Sequence, residues 1–100
     1  MKKILIVDDD TAVTNYLMVF LVQSGVFEPA VINDSRQVER RLENESFDVI
    51  LLDMDMPNVS GMDILQKMRG KGDETPVVVL TGVSDVTLAV KSMKLGAFDY

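Results

Sequence analysis

The 100-residue sequence predicts an α/β fold, a doubly wound parallel sheet in one domain. Three observations carry that prediction. Three short apolar runs, Ile4–Val7, Val49–Leu52 and Val77–Leu80, are continuous rather than alternating, as strands covered on both faces are. Helical patterns lie between them, so that strand and helix alternate four times. Each run is followed by, or ends against, an oxygen-bearing side chain: Asp8 with Asp9, Asp53, and Thr81.

The elements follow in chain order. Ile4–Val7 is the first strand. Thr11–Ser24 is apolar around most of its circumference and ends at Gly25, a natural helix terminator, so it reads as a deeply packed helix. Pro29–Ile32 is a weaker apolar run and is placed at a sheet edge, where a proline at the start of a strand is tolerated. Asp34–Asn44 is a polar helix with Val38 and Leu42 four apart, and Asp34 with Gln37 resembles a capping box. Val49–Leu52 is the next strand. Ser60–Arg69 is a helix with Ile64, Leu65 and Met68 on one face, stopped by Gly70 or Gly72. Val77–Leu80 follows Pro76 as the fourth strand. Asp85–Leu95 is a helix with Val86, Ala89, Val90 and Met93 on one face, Lys91 and Lys94 near the negative end of its dipole, and Gly96 closing it.

Composition narrows the chemistry. Ten Lys and Arg against sixteen Asp and Glu give a net charge of −6, which argues against direct nucleic-acid binding, since phosphate neutralisation needs clustered cations. Cysteine and histidine are both absent. Disulfides, zinc sites, thiol nucleophiles and every triad with an imidazole base are therefore excluded. Any metal must be a hard cation held by oxygen. The lack of cysteine fits a reducing cytoplasm. The run after Met1-Lys2-Lys3 is cut by Asp8-Asp9-Asp10 after four apolar residues, too short for an export signal. The uncharged stretch from Thr11 to Phe27 is too short and too polar to span a bilayer, and no membrane association is expected.

In open α/β sheets ligands bind beyond the carboxyl ends of the strands, where strand order reverses. If the first, third and fourth strands are neighbours, Asp8, Asp9, Asp53 and Thr81 converge there. Any one of them alone reads more simply as the N-cap of the next helix. Equivalent placement in all three runs favours a shared site. Two carboxylates about 4 Å apart repel by roughly 4 kcal/mol at an effective dielectric near 20. A hard divalent ion offsets that cost, and Mg²⁺ is the usual choice with one or two carboxylates and a phosphate oxygen. An acidic, Mg²⁺-binding pocket with a hydroxyl nearby suggests phosphoryl chemistry, with a carboxylate as nucleophile. Neither familiar glycine-rich nucleotide loop is present.

With these residues in view, the whole chain resembles the receiver domain of bacterial two-component response regulators. The motifs are Ile4-Leu5-Ile6-Val7-Asp8-Asp9-Asp10, then Leu51-Leu52-Asp53-Met54-Asp55-Met56-Pro57-Asn58-Val59-Ser60-Gly61, then Val78-Val79-Leu80-Thr81-Gly82, and last Gly96-Ala97-Phe98-Asp99-Tyr100. Each is moderately specific, and all four in this order are very specific. The resemblance implies a flavodoxin-like sheet of order 2-1-3-4, with a fifth strand beyond it in the family. It implies that Asp53 is the phosphoacceptor and that Asp9 and Asp53 bind Mg²⁺ through carboxylates. Asp55 would bind the ion through its backbone carbonyl, and Asp8 through a water. Thr81 would contact the phosphoryl group, with small Gly82 leaving room beside it. Tyr100 would be the aromatic that moves with Thr81 as a switch, although as an isolated residue it reads as a surface aromatic.

The same resemblance implies a phosphorelay partner, a sensor histidine kinase or a histidine phosphotransfer domain, and an output domain or protein that the sequence does not name. Without histidine the chain can accept but not donate in such a relay, and it is a switch rather than a turnover enzyme. In the family the surface around the first helix docks the phosphodonor, which places Thr14, Asn15 and Met18 near a partner surface. The family's lysine, fifth strand and fifth helix are missing from these 100 residues. The expectation is therefore one receiver domain, residues 1–100, truncated before the fifth strand. If the protein stops at Tyr100, its open edge at Val77–Leu80 is expected to leave the chain either marginally stable or self-associated, as a homodimer for instance. Two alternatives remain at this point. One is a haloacid-dehalogenase-type phosphatase using Asp53 and Asp55 as an Asp-x-Asp pair, although that motif closes the first strand in such enzymes. The other is an inert pseudo-receiver that only makes contacts.

Overall fold

Four strands pair in parallel in the order β2-β1-β3-β4 in the computed structural model, which describes residues 1–80. They are β1 (Lys2–Val7), β2 (Phe27–Ile32), β3 (Val49–Asp53) and β4 (Val77–Leu80), and the helices are α1 (Thr11–Ser24), α2 (Val38–Asn44) and α3 (Gly61–Gly70). The predicted order 2-1-3-4 is the observed one. The expected helix Asp85–Leu95 with Gly96, together with Thr81, Gly82 and Tyr100, lies outside the described residues, as does whatever bears on an open edge beyond β4.

The continuous apolar runs fold as strands because the sheet is covered on both faces. Residues of β1 alternate between two cores. Leu5 and Val7 join Ile50, Leu52, Val77 and Val79 on the face that packs Val38 of α2 and Ile64, Leu65 and Met68 of α3. Ile4 and Ile6 turn the other way, toward Leu17 and Leu21 of α1 and Val31, Val49 and Leu51 of the sheet. Each such aliphatic side chain, fully buried, contributes about 1.5–3 kcal/mol relative to exposure. β2 starts two residues earlier than the sequence indicates, at Phe27, and pairs with β1 from Lys2↔Phe27 to Val7↔Ile32.

Helix ends explain where each element stops. Asp10 caps α1, its carboxylate accepting from the N–H groups of Ala12 at 2.9 Å and Val13 at 3.4 Å. Gly25 ends the helix at φ 73°, a conformation costly for any residue with a Cβ. Ser60 caps α3 by accepting from the Asp63 N–H at 3.1 Å. Gly70 is the last residue of that helix, and the left-handed turn beyond it falls at Gly72.

Two expectations are corrected. α1 is not deeply packed: only Thr14 and Leu21 are buried, while Tyr16, Val19, Phe20 and Val22 are exposed. The helix rests on β1 and β2 through one face, and its apolar residues run all the way round. The polar helix predicted from Asp34 is split. Ser35–Gln37 form a 3₁₀ turn and α2 begins only at Val38. No capping box forms, because the Asp34 carboxylate is taken by the backbone and guanidinium of Arg36 and the Ser35 hydroxyl is drawn away to Pro57 and Val59. No helix among the described residues is long and apolar enough to cross a membrane.

Candidate functional site

Strand register brings the acidic residues together. β1 and β3 pair up to Val7↔Leu52, so the next residues, Asp8 and Asp53, come level at the carboxyl end of the sheet. On the other side of β3, Asp53 pairs with Leu80. One carboxylate oxygen from each of Asp8, Asp9 and Asp53 lies within 4.8 Å of the others. Asp8 and Asp53 are buried and Asp9 is exposed, so the cluster has an interior wall and an open mouth.

The capping alternative fails for these residues, because Asp10 caps α1 and Ser60 caps α3. Asp8 and Asp53 instead each close a small turn at the end of a strand. Asp8 Oδ1 accepts from the Asp10 N–H at 2.9 Å, and Asp53 Oδ1 accepts from the Asp55 N–H at 3.0 Å. These bonds fix one oxygen of each carboxylate. The Asp55 side chain is exposed, and its backbone N–H against Asp53 brings its peptide to the edge of the site.

Electrostatics follow from the geometry. Burial pushes the Asp53 carboxyl up to about 7, with further upward pushes from the charge and hydrogen bonding of Asp8 and the charge of Asp9; the Asp55 N–H opposes the shift. The cluster therefore carries strain that a cation or a proton relieves. The ion pairs Lys3–Glu45, Arg41–Glu45, Lys67–Glu39 and Lys71–Glu39 all lie elsewhere. A set of hard oxygens, charge-repelled and open to solvent on one side, fits Mg²⁺ with its retained waters.

Three residues that matter to this site carry no role in the sequence reading. Gly61 opens α3 directly behind the end of β3. A Cβ on it would sit 2.2 Å from the Asp53 carbonyl oxygen and 2.8 Å from Met54 Cα, so only glycine permits this approach. Its place after the Ser60 cap was the available signal. Asn33 and Ser35 contact the two loops of the pocket across more than 20 residues of sequence, and nothing local marks them beyond a polar cluster at the end of a strand. Of the three α1 residues expected at a partner surface, Asn15 is exposed, Met18 half-buried and Thr14 buried. Thr14 is corrected: its hydroxyl accepts from Asn33 Nδ2 at 3.0 Å inside the fold.

Residues 4–100 match the family model described as the response regulator receiver domain. The chain is 35% identical over 97 residues to the transcriptional regulatory protein FixJ of Bradyrhizobium diazoefficiens, covering 97% of this chain and 47% of that protein. It thus spans about half the length of that relative. Among solved structures, it is similar to the receiver domain of the Francisella response regulator 1452, with TM-score 0.92 and 25% identity over 100% of this chain and 82% of that one. It is also similar to the BeF3-activated receiver domain of DrrB, a protein of Thermotoga maritima, with TM-score 0.86 and 30% identity over 100% of this chain and 82% of that one. The phosphatase alternative is not favoured: its Asp-x-Asp pair closes the third strand here, and Asp55 turns its carboxylate outward. The inert-module alternative is not favoured either, since the acidic set is complete.

Proposed function

From the premise that the chain belongs to the response regulator receiver family, and is a domain of a phosphorylation-dependent signalling switch, we propose that Asp53 is its phosphoacceptor. The observation that carries this reading is the convergence of the Asp8, Asp9 and Asp53 carboxylates within 4.8 Å at the ends of adjacent parallel strands. The donor is a phosphohistidine of a sensor histidine kinase or a histidine phosphotransfer domain. The output is a further domain or partner protein, by analogy with relatives such as FixJ, named a transcriptional regulatory protein. A cytoplasmic location follows from those partners.

The reaction is a phosphoryl transfer in which the chain assists its own modification without turning over a released substrate. The free oxygen of Asp53 attacks phosphorus as the P–N bond of the phosphohistidine breaks, and the imidazole leaves with the electron pair of that bond. Asp53 must be ionised to attack, and the Asp55 N–H on Oδ1 holds the other oxygen in place. Asp9 and Asp53 would hold Mg²⁺ through their carboxylates, with the Asp55 backbone carbonyl as a third protein oxygen and Asp8 reaching the ion through a water. Bound Mg²⁺ supplies positive charge that favours the ionised Asp53 and offsets charge on the phosphoryl oxygens. The resemblance assigns a contact with the phosphoryl group to Thr81 and a switch role to Thr81 with Tyr100, both of which lie outside the described residues.

Incubation with acetyl phosphate and Mg²⁺, read by intact mass, tests this. One phosphoryl adduct is expected on the wild-type chain and none on Asp53→Asn. An adduct of undiminished yield on that variant places the acceptor elsewhere.

A further inference from the structure

The two loops that build the acidic pocket share one support. The first loop, between β1 and α1, carries Asp8 and Asp9. The Asp8 N–H donates to the Ile32 carbonyl at 3.2 Å, and the Asp8 carbonyl accepts from Asn33 Nδ2 at 2.9 Å. That carbonyl belongs to the peptide joining Asp8 to Asp9, so Asn33 sets the plane between two of the three carboxylates. The same Asn33 amide donates to Thr14 Oγ1 at 3.0 Å, which anchors it against α1.

The second loop, between β3 and α3, carries Asp55 and turns at Asn58, whose φ is 69°. The turn is tight, with the Val59 N–H donating to the Pro57 carbonyl at 2.9 Å, and left-handed backbone at a residue other than glycine is costly. The Ser35 hydroxyl, on a residue 5% exposed, bridges the same two groups. It donates to the Pro57 carbonyl at 2.8 Å and accepts from the Val59 N–H at 3.2 Å.

Asn33 and Ser35 are two residues apart, in the turn that follows edge strand β2. We propose that this turn is a clamp: Asn33 and Ser35 are positioning residues that set the separation of the Asp8–Asp9 peptide from the Asp53–Asp55 loop, and with it the affinity of the pocket for Mg²⁺. Neither side chain touches the ion. The clamp rests on the reading of the acidic cluster as the Mg²⁺-binding phosphoacceptor site. It also explains why the polar helix begins late, since the Ser35 hydroxyl serves the neighbouring loop instead of a helix.

Calorimetric titration of the full chain with Mg²⁺ tests it. Asn33→Ala and Ser35→Ala are each expected to weaken Mg²⁺ binding about three- to tenfold, the loss of one or two modest hydrogen bonds that organise the site. Ser35→Thr, which keeps the hydroxyl, should stay within about twofold of wild type. Leu42→Ala, a half-buried change on α2, controls for lost stability and should leave Mg²⁺ affinity unchanged. If Ser35→Ala does not fold, Asn33→Ala, at a solvent-accessible position, carries the test. Wild-type affinity in both alanine variants, or equal weakening in Leu42→Ala, overturns the clamp alone. A wild-type chain that takes up no Mg²⁺ overturns the underlying reading of the pocket, and the clamp with it.

Discussion

Asp53→Asn should stabilise the metal-free protein at alkaline pH while removing its proposed phosphoacceptor. The substitution keeps shape and keeps an Oδ1 acceptor for the Asp55 N–H, now at 3.0 Å, but deletes a charge from a cluster within 4.8 Å. The Asp53 carboxyl titrates at about 7 in the folded chain against an ordinary 3.8, first because it is buried and then because Asp8 and Asp9 surround it. Between those values the folded state holds a proton that the unfolded state has released. Stability from this group is therefore fully present below about pH 4 and is lost as pH rises toward and through 7. A shift of roughly three units corresponds to about 4 kcal/mol as a ceiling. Solvent and salt reach the pocket at Asp9, and screening there leaves about 1–2 kcal/mol. Urea unfolding followed by circular dichroism, in buffer with chelator, reads the difference. Asp53→Asn should exceed wild type by about 1–2 kcal/mol at pH 8, with equal denaturant slopes, and the gap should narrow as pH falls toward 4. Millimolar Mg²⁺ should close the gap at pH 8 by stabilising the wild type. A variant less stable than wild type at pH 8, or a gap that ignores pH, would refute the charge-repulsion argument.

Other outcomes follow from the same geometry. Asp9→Ala should weaken Mg²⁺ binding more than Asp8→Ala, since only Asp9 is expected to touch the ion directly; a titration with the reverse order contradicts the ligand assignment. Gly61→Ala places a Cβ 2.2 Å from the Asp53 carbonyl oxygen, so it should cost about 2 kcal/mol or more in urea unfolding and lower the yield of phosphorylation from acetyl phosphate. An unaffected Gly61→Ala would mean that α3 can retreat from the strand end without consequence. Asp10→Ala removes the cap on α1 and should cost about 1 kcal/mol, with little change in Mg²⁺ affinity beyond its effect on the folded fraction; selective loss of Mg²⁺ binding would give Asp10 a place in the site.

Much of this architecture was legible in the sequence because it rests on local patterns. The runs Ile4–Val7, Val49–Leu52 and Val77–Leu80 had no polar face to offer, so both faces needed cover, and a parallel sheet provides it. Asp8 and Asp53 stood at strand ends, and a shared sheet register brings such residues level. What escaped were features that depend on contacts across the fold. Ser35 looked like part of a helix start, but its hydroxyl bonds to Pro57, 22 residues away. Asn33 carried no signal of its link to Asp8, 25 residues away. Thr14, placed by the resemblance near a partner surface, is buried and accepts from Asn33. α1 is packed less deeply than its composition implies, because an apolar composition does not say which side of a helix has a neighbour.

Reduction of the phosphorylated chain with borohydride tests the central claim most directly. Hydride converts an aspartyl phosphate to the corresponding alcohol and releases phosphate, marking the acceptor permanently. After treatment with acetyl phosphate and Mg²⁺, peptide mapping should find the converted side chain at position 53 and nowhere else, with none when Mg²⁺ is withheld. Conversion at Asp8, Asp9 or Asp55, or a phosphorylated chain that yields no converted residue, would contradict the assignment of Asp53 as the phosphoacceptor.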